Sequence, residues 1–244
     1  DSLESDTERS PSAASKGIVT MQTTIRLIMV FSLIALSACS TSNPKIDPAG
    51  EPSYDGLLPV TGTIMRQVWA REDVDLREYT KFMTIDAGLQ FRPVRSVGRA
   101  STAREFPLTQ QQQDTVRRIA TEEFNKALDG VTSMERVEKP GPDVLVVRGA
   151  IIDIVSRVPP ERAGRTDTFL DSVGQATFVI ELIDAESRAV LVRGVDTRAA
   201  DTPGVTQRAN RVTNSAEVRR LAAHWARQLA DALNNVTTIP SLND

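Results

Sequence analysis

Residues 144–155 read VLVVRGAIIDIV, an almost continuous apolar run in which only Arg148 and Asp153 carry charge. A strand with one face in water alternates apolar and polar side chains, whereas a run like this suits a central strand covered on both faces. Pro140-Gly141-Pro142 breaks the chain just ahead of it, which fixes where the strand starts. The rest of the chain must therefore supply strands beside this one and further layers to cover it.

Several segments meet that need. Residues 175–183 set Ala176, Phe178, Ile180 and Leu182 against Gln175, Thr177 and Glu181. Asp184-Ala185-Glu186-Ser187 has turn chemistry, so residues 175–183 and 188–196 are expected to form a hairpin. Residues 65–70 and 131–137 read as short strands, and 73–80 as a loop or one helical turn. Residues 81–91 read as a strand in which Gly88 allows a bulge. One helix opens at a capping box, Thr109 with Gln112, and has Gly130 at its C′ position. Val116, Ile119, Ala120, Phe124, Ala127 and Leu128 fall on one side of it, and Glu122 and Lys126 stand as an i,i+4 pair. A final helix carries a stripe of Val218, Leu221, Ala222, Trp225, Leu229, Ala232, Leu233 and Val236. The expected fold is a single α/β domain of α+β character over residues 57–236. Its sheet is expected to be mostly antiparallel, of five or six strands, covered by two helices, with 237–244 as a tail.

The N-terminal part has another purpose. Residues 1–20 are polar and partly acidic, and Met21 is the expected translation start. Met21 leads through Arg26 into the apolar stretch 27–36, the form of a secretory signal. Even extended to Cys39 this stretch is short of the roughly 20 residues that span a bilayer. Leu36-Ser37-Ala38-Cys39 looks like the lipobox of bacterial lipoproteins, and Cys39 is the only cysteine among 244 residues. Small side chains let a signal peptidase bind the extended backbone, and a thiol readily forms a thioether to diacylglycerol. The diacylglycerol brings the two chains that stable anchoring needs, and acylation of the freed amine, as with palmitate, would add a further one. Residues 21–38 are thus expected to be a signal peptide. Residues 39–56 are expected to hold the lipidated cysteine and a flexible tether, polar and rich in Pro and Ser over 40–53. In the lipoproteins this resembles, Asp after the cysteine retains the protein in the inner membrane. Ser40 in that position favours the outer membrane, facing the periplasm.

Composition narrows the chemistry. The chain has 29 basic and 32 acidic residues, a net charge of −3, which does not favour nucleic acid as a partner. One cysteine makes no internal disulfide, and one histidine, His224, rules out a multi-histidine metal site. His224 lies off the apolar stripe of the last helix and is expected to be partly exposed. No nucleophile elbow, phosphate loop or zinc motif occurs in the sequence. Glu122/Glu123 and Asp184/Glu186 are best explained as a helix surface and a turn. Asp153, inside the apolar run, would need a partner if buried, with Arg148 or an arginine of another strand available. Two loops collect arginines, Arg92, Arg95, Arg99 and Arg104 in one and Arg157, Arg162 and Arg165 in the other. Converging, they would bind a lipid phosphate or acidic glycan; apart, their charges are balanced by Glu105, Glu161, Asp167 and Asp171.

Several landmarks together resemble a family of bacterial lipoproteins, domain of unknown function 3313. These are Tyr54-Asp55-Gly56-Leu57, Asp75-Leu76-Arg77-Glu78-Tyr79 and Pro140-Gly141-Pro142-Asp143-Val144-Leu145. Glu181-Leu182-Ile183-Asp184 and Trp225-Ala226 complete them, so the resemblance covers nearly all of residues 54–236. The chain departs from the pattern in having little glycine before the hairpin and no tryptophan leading into the last helix. The resemblance implies an envelope lipoprotein of unassigned activity and lends no catalytic residue. The expected function is a lipid-anchored binding or accessory module with an envelope protein partner. The covalent lipid on Cys39 stands in place of any cofactor, and no metal is expected. A periplasmic enzyme with a dispersed site, or a lipid- or glycan-anion binder using the arginine loops, are the alternatives.

Overall fold

A computed structural model describes residues 44–94, 105–159, 169–201, 204, 206–208 and 210–236. In chain order the elements are β1 (Lys45–Ile46), β2 (Leu58–Thr61), β3 (Gln67–Ala70), β4 (Lys81–Phe91), α1 (Gln110–Leu128) and β5 (Glu135–Arg136). There follow β6 (Val144–Ser156), β7 (Phe169–Leu170), β8 (Gly174–Asp184), β9 (Val190–Ala200), β10 (Gln207–Arg208) and α2 (Arg211–Asn235). Eight strands form one sheet in the order β1-β2-β3-β9-β8-β6-β4-β5, and β10 pairs with β7 in a separate two-stranded sheet.

The fold is α+β with two helices, but the sheet is neither five- or six-stranded nor only antiparallel. From β1 to β6 neighbouring strands are antiparallel; β4 runs parallel to both β6 and β5. The parallel pairing follows from connectivity. A helix lies between β4 and β6 in sequence, and a helical crossover brings the next strand back in the same direction. The additional strands were hidden by their shortness. β1 has two residues and β2 four, too few for a period of two to show, whereas β5 lies within the short strand expected over 131–137. β1 also shortens the expected tether. Lys45 and Ile46 pair with Thr61 and Val60, and the Asp47 amide donates to the Pro59 carbonyl at 2.8 Å.

Alternation along the central strands puts Phe178 and Ile180 on one face of the sheet, where both helices pack. Phe178 stacks on Trp225 of α2, ring centroids 5.6 Å apart, and meets Phe124 of α1 at 5.2 Å. Trp225 is only 1% exposed and belongs to the core, as its place on the apolar stripe predicts. The helices are joined by Arg219, which pairs with Glu122 at 3.0 Å and with Glu123. Glu122 is also bonded by Arg118 at 2.7 Å, so it uses these arginines rather than the expected Lys126. The capping box at Thr109 is present in full; α1 ends at Leu128 with Asp129 as its C-cap, and the Gly130 amide donates to the Ala127 carbonyl.

β6 is central, yet it is not covered on both faces along its whole length. Toward the helices Leu145, Val147, Ile151 and Ile154 are buried. On the other face Arg148 is exposed and Ala150 and Ile152 are half-buried. Asp153 is exposed at a bulge where the register with β8 shifts between Ile152 and Val155. Its φ of 53° is left-handed, a conformation short polar residues tolerate best after glycine. β4 bulges between Asp86 and Gly88, and Gly88 has a φ of 87°.

Gly174 opens β8 beside Val155, and a side-chain carbon there would run into the Val155 carbonyl oxygen. Gly174→Ala is expected to lower stability by about 1–3 kcal/mol, the usual cost of overpacking. Urea unfolding would report it as a lower midpoint at unchanged slope.

Candidate functional site

Cys39 and Leu36, Ser37 and Ala38 lie outside the described residues, as do Arg95, Arg99, Arg104, Arg162 and Arg165. Arg92 and Arg157 are described. Because β4 and β6 are parallel, these two residues leave the sheet at the same end. Arg92 donates from Nη1 to both oxygens of Glu105, at 3.1 and 3.2 Å, and its Nε lies 3.7 Å from Asp153. Asp153 therefore finds its arginine in the first arginine loop, not in Arg148. Arg157 donates to Ser172 Oγ at 3.1 Å and Gln175 Oε1 at 3.0 Å, and pairs with no carboxylate among the described residues.

The densest polar cluster lies on the face away from the helices. Register places Arg148, Glu181 and Arg193 side by side across β6, β8 and β9. Both arginines bond Glu181, Arg193 through Nε at 2.9 Å and Arg148 through Nε at 2.7 Å. Arg193, 9% exposed, also forks onto Asp55 at 2.9 and 2.5 Å. Its guanidinium carbon sits 5.0 Å from the centre of the Tyr54 ring, which is itself 92% exposed. The Tyr54-Asp55-Gly56-Leu57 stretch is thus a clamp: Tyr54 and Asp55 hold Arg193, Gly56 takes a φ of 81°, and Leu57 is buried. The Arg193 guanidinium lowers the Asp55 carboxyl to about 2. Burial works to raise Glu181, but bonds from Arg193 and Arg148 outweigh it and leave its pKa below the usual value. Paired charges of this kind fix geometry and leave little free reactivity. The pairing of Glu181 with Arg193 went unread in the sequence, although opposite charges on the two hairpin strands are a signal for it; the Asp55 contact spans 138 positions and no local pattern could disclose it.

The other landmarks are tied in the same way. Lys81 bonds both oxygens of Asp143, at 3.0 and 2.9 Å, and Thr80 bonds it as well. Tyr79 donates to Asp184 at 3.1 Å, and burial, then that carboxylate, push the phenol up. Asp184 also accepts from the Ser187 amide at 2.7 Å, which makes it a turn residue. On the helix face Asp196, 3% exposed, accepts Trp225 Nε1 at 2.8 Å and Arg198 Nε at 2.5 Å. His224 is half-buried; its Nε2 is buried with no hydrogen-bond partner among the described residues. Burial, followed by Arg198, lowers its pKa, so the ring is held neutral.

A cavity adjoins the helix face of the sheet. It has a volume of about 140 Å³ and lies between α1 and the strands β4 and β6. Phe124, Leu128, Phe178, Ile180 and Leu229 surround it, and Gly149 leaves room on its floor. Thr84, Asp86, Thr121 and Asn125 stand at its polar side. The sequence pattern marks these apolar residues as core, and Gly149 is the lining position without a side chain on the β6 side.

A mixed sheet with both helices on one face places the protein among α+β domains. The chain belongs to the family described as protein of unknown function DUF3313, which matches residues 49–229. No curated protein matches the sequence. Among solved structures it is similar to the PelC dodecamer from Paraburkholderia phytofirmans, at 15% identity and a TM-score of 0.32, over 66% of this chain and 96% of that one. It is similar to a Xanthomonas campestris protein of the DUF330 family at 10% identity and a TM-score of 0.34, over 69% of this chain and 91% of that one. A minor lipoprotein from Acinetobacter baumannii matches at 10% identity and a TM-score of 0.29, over 62% of this chain and 94% of that one.

The Arg193 clamp carries a pH signature. The folded-state pKa of Asp55 is depressed, so its contribution is present above the unfolded value of 3.8 and lost as pH falls toward about 2. Asp55→Asn is expected to cost about 1 kcal/mol at neutral pH, allowing for solvent screening. The gap between variant and wild type should close between pH 4 and 2, followed by urea midpoints across that range.

Proposed function

We propose that the protein is a lipid-anchored binding or accessory module of the cell envelope. It is held by acylated Cys39 in the outer membrane and faces the periplasm. The observation that carries this reading is the lipobox Leu36-Ser37-Ala38-Cys39, closing an apolar stretch with a charged n-region only a few residues before β1. At about 3.5 Å per residue, the chain from Cys39 to Lys45 reaches no further than about 20 Å, so the domain would stay close to the lipid surface. No helix among the described residues is long and apolar enough to cross a membrane. The charged clusters favour a binding over a catalytic role, since Arg193, Glu181, Asp55, Lys81 and Asp143 hold one another.

The arginine loops fit a supporting role in this reading. Running back from Ile46 to Lys45, the chain heads for the end of the sheet where Arg92 and Arg157 leave it. At that end Arg157, which pairs with no carboxylate among the described residues, would face anionic headgroups, a basic residue near such a surface adding about 1 kcal/mol.

The test is Cys39→Ala with labelled palmitate and membrane fractionation. Wild type should take up label and float with outer membranes, while the variant takes up none and leaves that fraction. Ser40→Asp should move the labelled protein to inner membranes. A Cys39→Ala protein that is labelled and fractionates like wild type would sink the anchor.

A further inference from the structure

The sheet ends unevenly beside β4. β5 covers only Lys81 and Phe82, where the Glu135 amide donates to the Thr80 carbonyl at 3.0 Å and the Val137 amide to that of Phe82 at 2.9 Å. Strand alternation then turns the main-chain groups of Thr84 and Asp86 the same way, outward from β6. No strand pairs with them among the described residues. Arg136 reaches Thr84 only at its side-chain oxygen, at 3.3 Å. Natural edge strands are usually blunted by lysine, proline or an early bulge. Residues 83–86 have neither lysine nor proline, and the bulge comes only after Asp86. Ile85 on this edge is 45% exposed on the face away from the helices.

The cavity beneath α1 borders the same residues, Thr84 and Asp86, on the helix face. A volume of about 140 Å³ is below the roughly 300 Å³ at which small-molecule sites begin. Its apolar part, walled by Phe124, Leu128, Phe178 and Ile180, has room for one small hydrocarbon group. Asp86 bonds only the Gly88 amide, at 2.7 Å, and forms no ion pair among the described residues. Among the described residues the edge thus presents unpaired amides and carbonyls, a hole for one apolar side chain and a carboxylate with no ion pair, all within a few residues.

We propose that this edge takes up an extended segment of a partner protein, which adds a strand beside residues 83–86, inserts one apolar side chain into the cavity and sets a lysine or arginine against Asp86. Only a polypeptide backbone matches the free ladder groups. Side chains on one face of a strand are two residues apart, so the apolar and basic residues of the partner segment stand at that spacing. Residues of the opposite parity lie over Ile85. This names a site for the binding role proposed above and does not depend on the lipid at Cys39, since Cys39→Ala leaves the edge untouched.

The test uses the full chain in detergent and a fluorescent, end-capped peptide in which threonine alternates with arginine, leucine and arginine. Fluorescence polarisation should show saturable binding, at least tenfold weaker for the same peptide N-methylated on alternate amides. Thr84→Pro removes an outward N–H, where proline is tolerated on an edge, and should weaken binding at least tenfold. Gly149→Val should fill the hole and weaken leucine peptides, its first carbon lying 3.7 Å from Phe178 and 3.8 Å from Ile180. Asp86→Lys should favour a glutamate peptide over the arginine one. Circular dichroism confirms the fold of each variant. Equal affinity for the N-methylated peptide, or no saturable binding at millimolar peptide, overturns the proposal. So does a dimer of this protein that Thr84→Pro dissolves, which would give the edge to a second copy.

Discussion

The Trp225 side chain organises the rest of the structure. Its indole stacks on Phe178 at the middle of the sheet, and its N–H is spent on the buried carboxylate of Asp196. Phe178 in turn meets Phe124, so one residue of β8 registers both helices. A tryptophan buried with its N–H unpaired would forfeit a hydrogen bond in a dry site, and Asp196 without its donors would be a buried charge. Arg198 and Trp225 therefore settle Asp196 together, and the pair commits both helices to one face of the sheet. The other face then has to manage without helices. It does so by lining up Arg148, Glu181 and Arg193 across three strands and closing the row with Asp55 and Tyr54.

That division explains which parts of the fold can be read from sequence. The elements with long periodic patterns, β4, β6, β8 and both helices, lie close to where periodicity and capping put them, because local pattern and burial agree there. Gln110–Leu128 begins one residue after its Thr109 cap, and Lys81–Phe91 coincides with the expected strand. The apolar run of β6 is misleading in its middle. Continuous apolarity predicts cover on both faces, yet Ala150 and Ile152 are only half-buried. β1 and β2 escape because two to four residues carry no periodic signal, and their pairing is fixed by distant partners. β1 is held by β2, for example, through Val60 and Thr61.

The landmark residues of the family are explained by the same long-range geometry. Tyr54-Asp55-Gly56-Leu57 clamps Arg193, Pro140-Gly141-Pro142-Asp143 brings a carboxylate to Lys81, and Tyr79 anchors the hairpin turn through Asp184. Each joins segments far apart in sequence, and each uses up its charge in doing so. Residues that read as catalytic candidates by type alone thus have structural duties, and Asp153 is similarly occupied by Arg92.

What is left without a partner is informative for that reason. In a domain whose charged groups so often find a mate, Asp86 bonds only the Gly88 amide among the described residues, and it sits on the part of β4 that β5 fails to cover. The gap exists because β5 is a two-residue strand, after which the chain turns away through Pro140-Gly141-Pro142 to start β6. The crossover through α1 makes β4 and β6 parallel neighbours, and the short β5 within it leaves the outer side of β4 beyond Phe82 without a paired strand among the described residues. Glycine at position 149 leaves the adjoining space under α1 unfilled, although a methyl group would meet Phe178 and Ile180 only at ordinary contact distance. Packing does not require that glycine. Its effect is to keep a side-chain-sized hole beside an open strand edge, and an edge with its own pocket is the arrangement by which sheets recognise extended peptides.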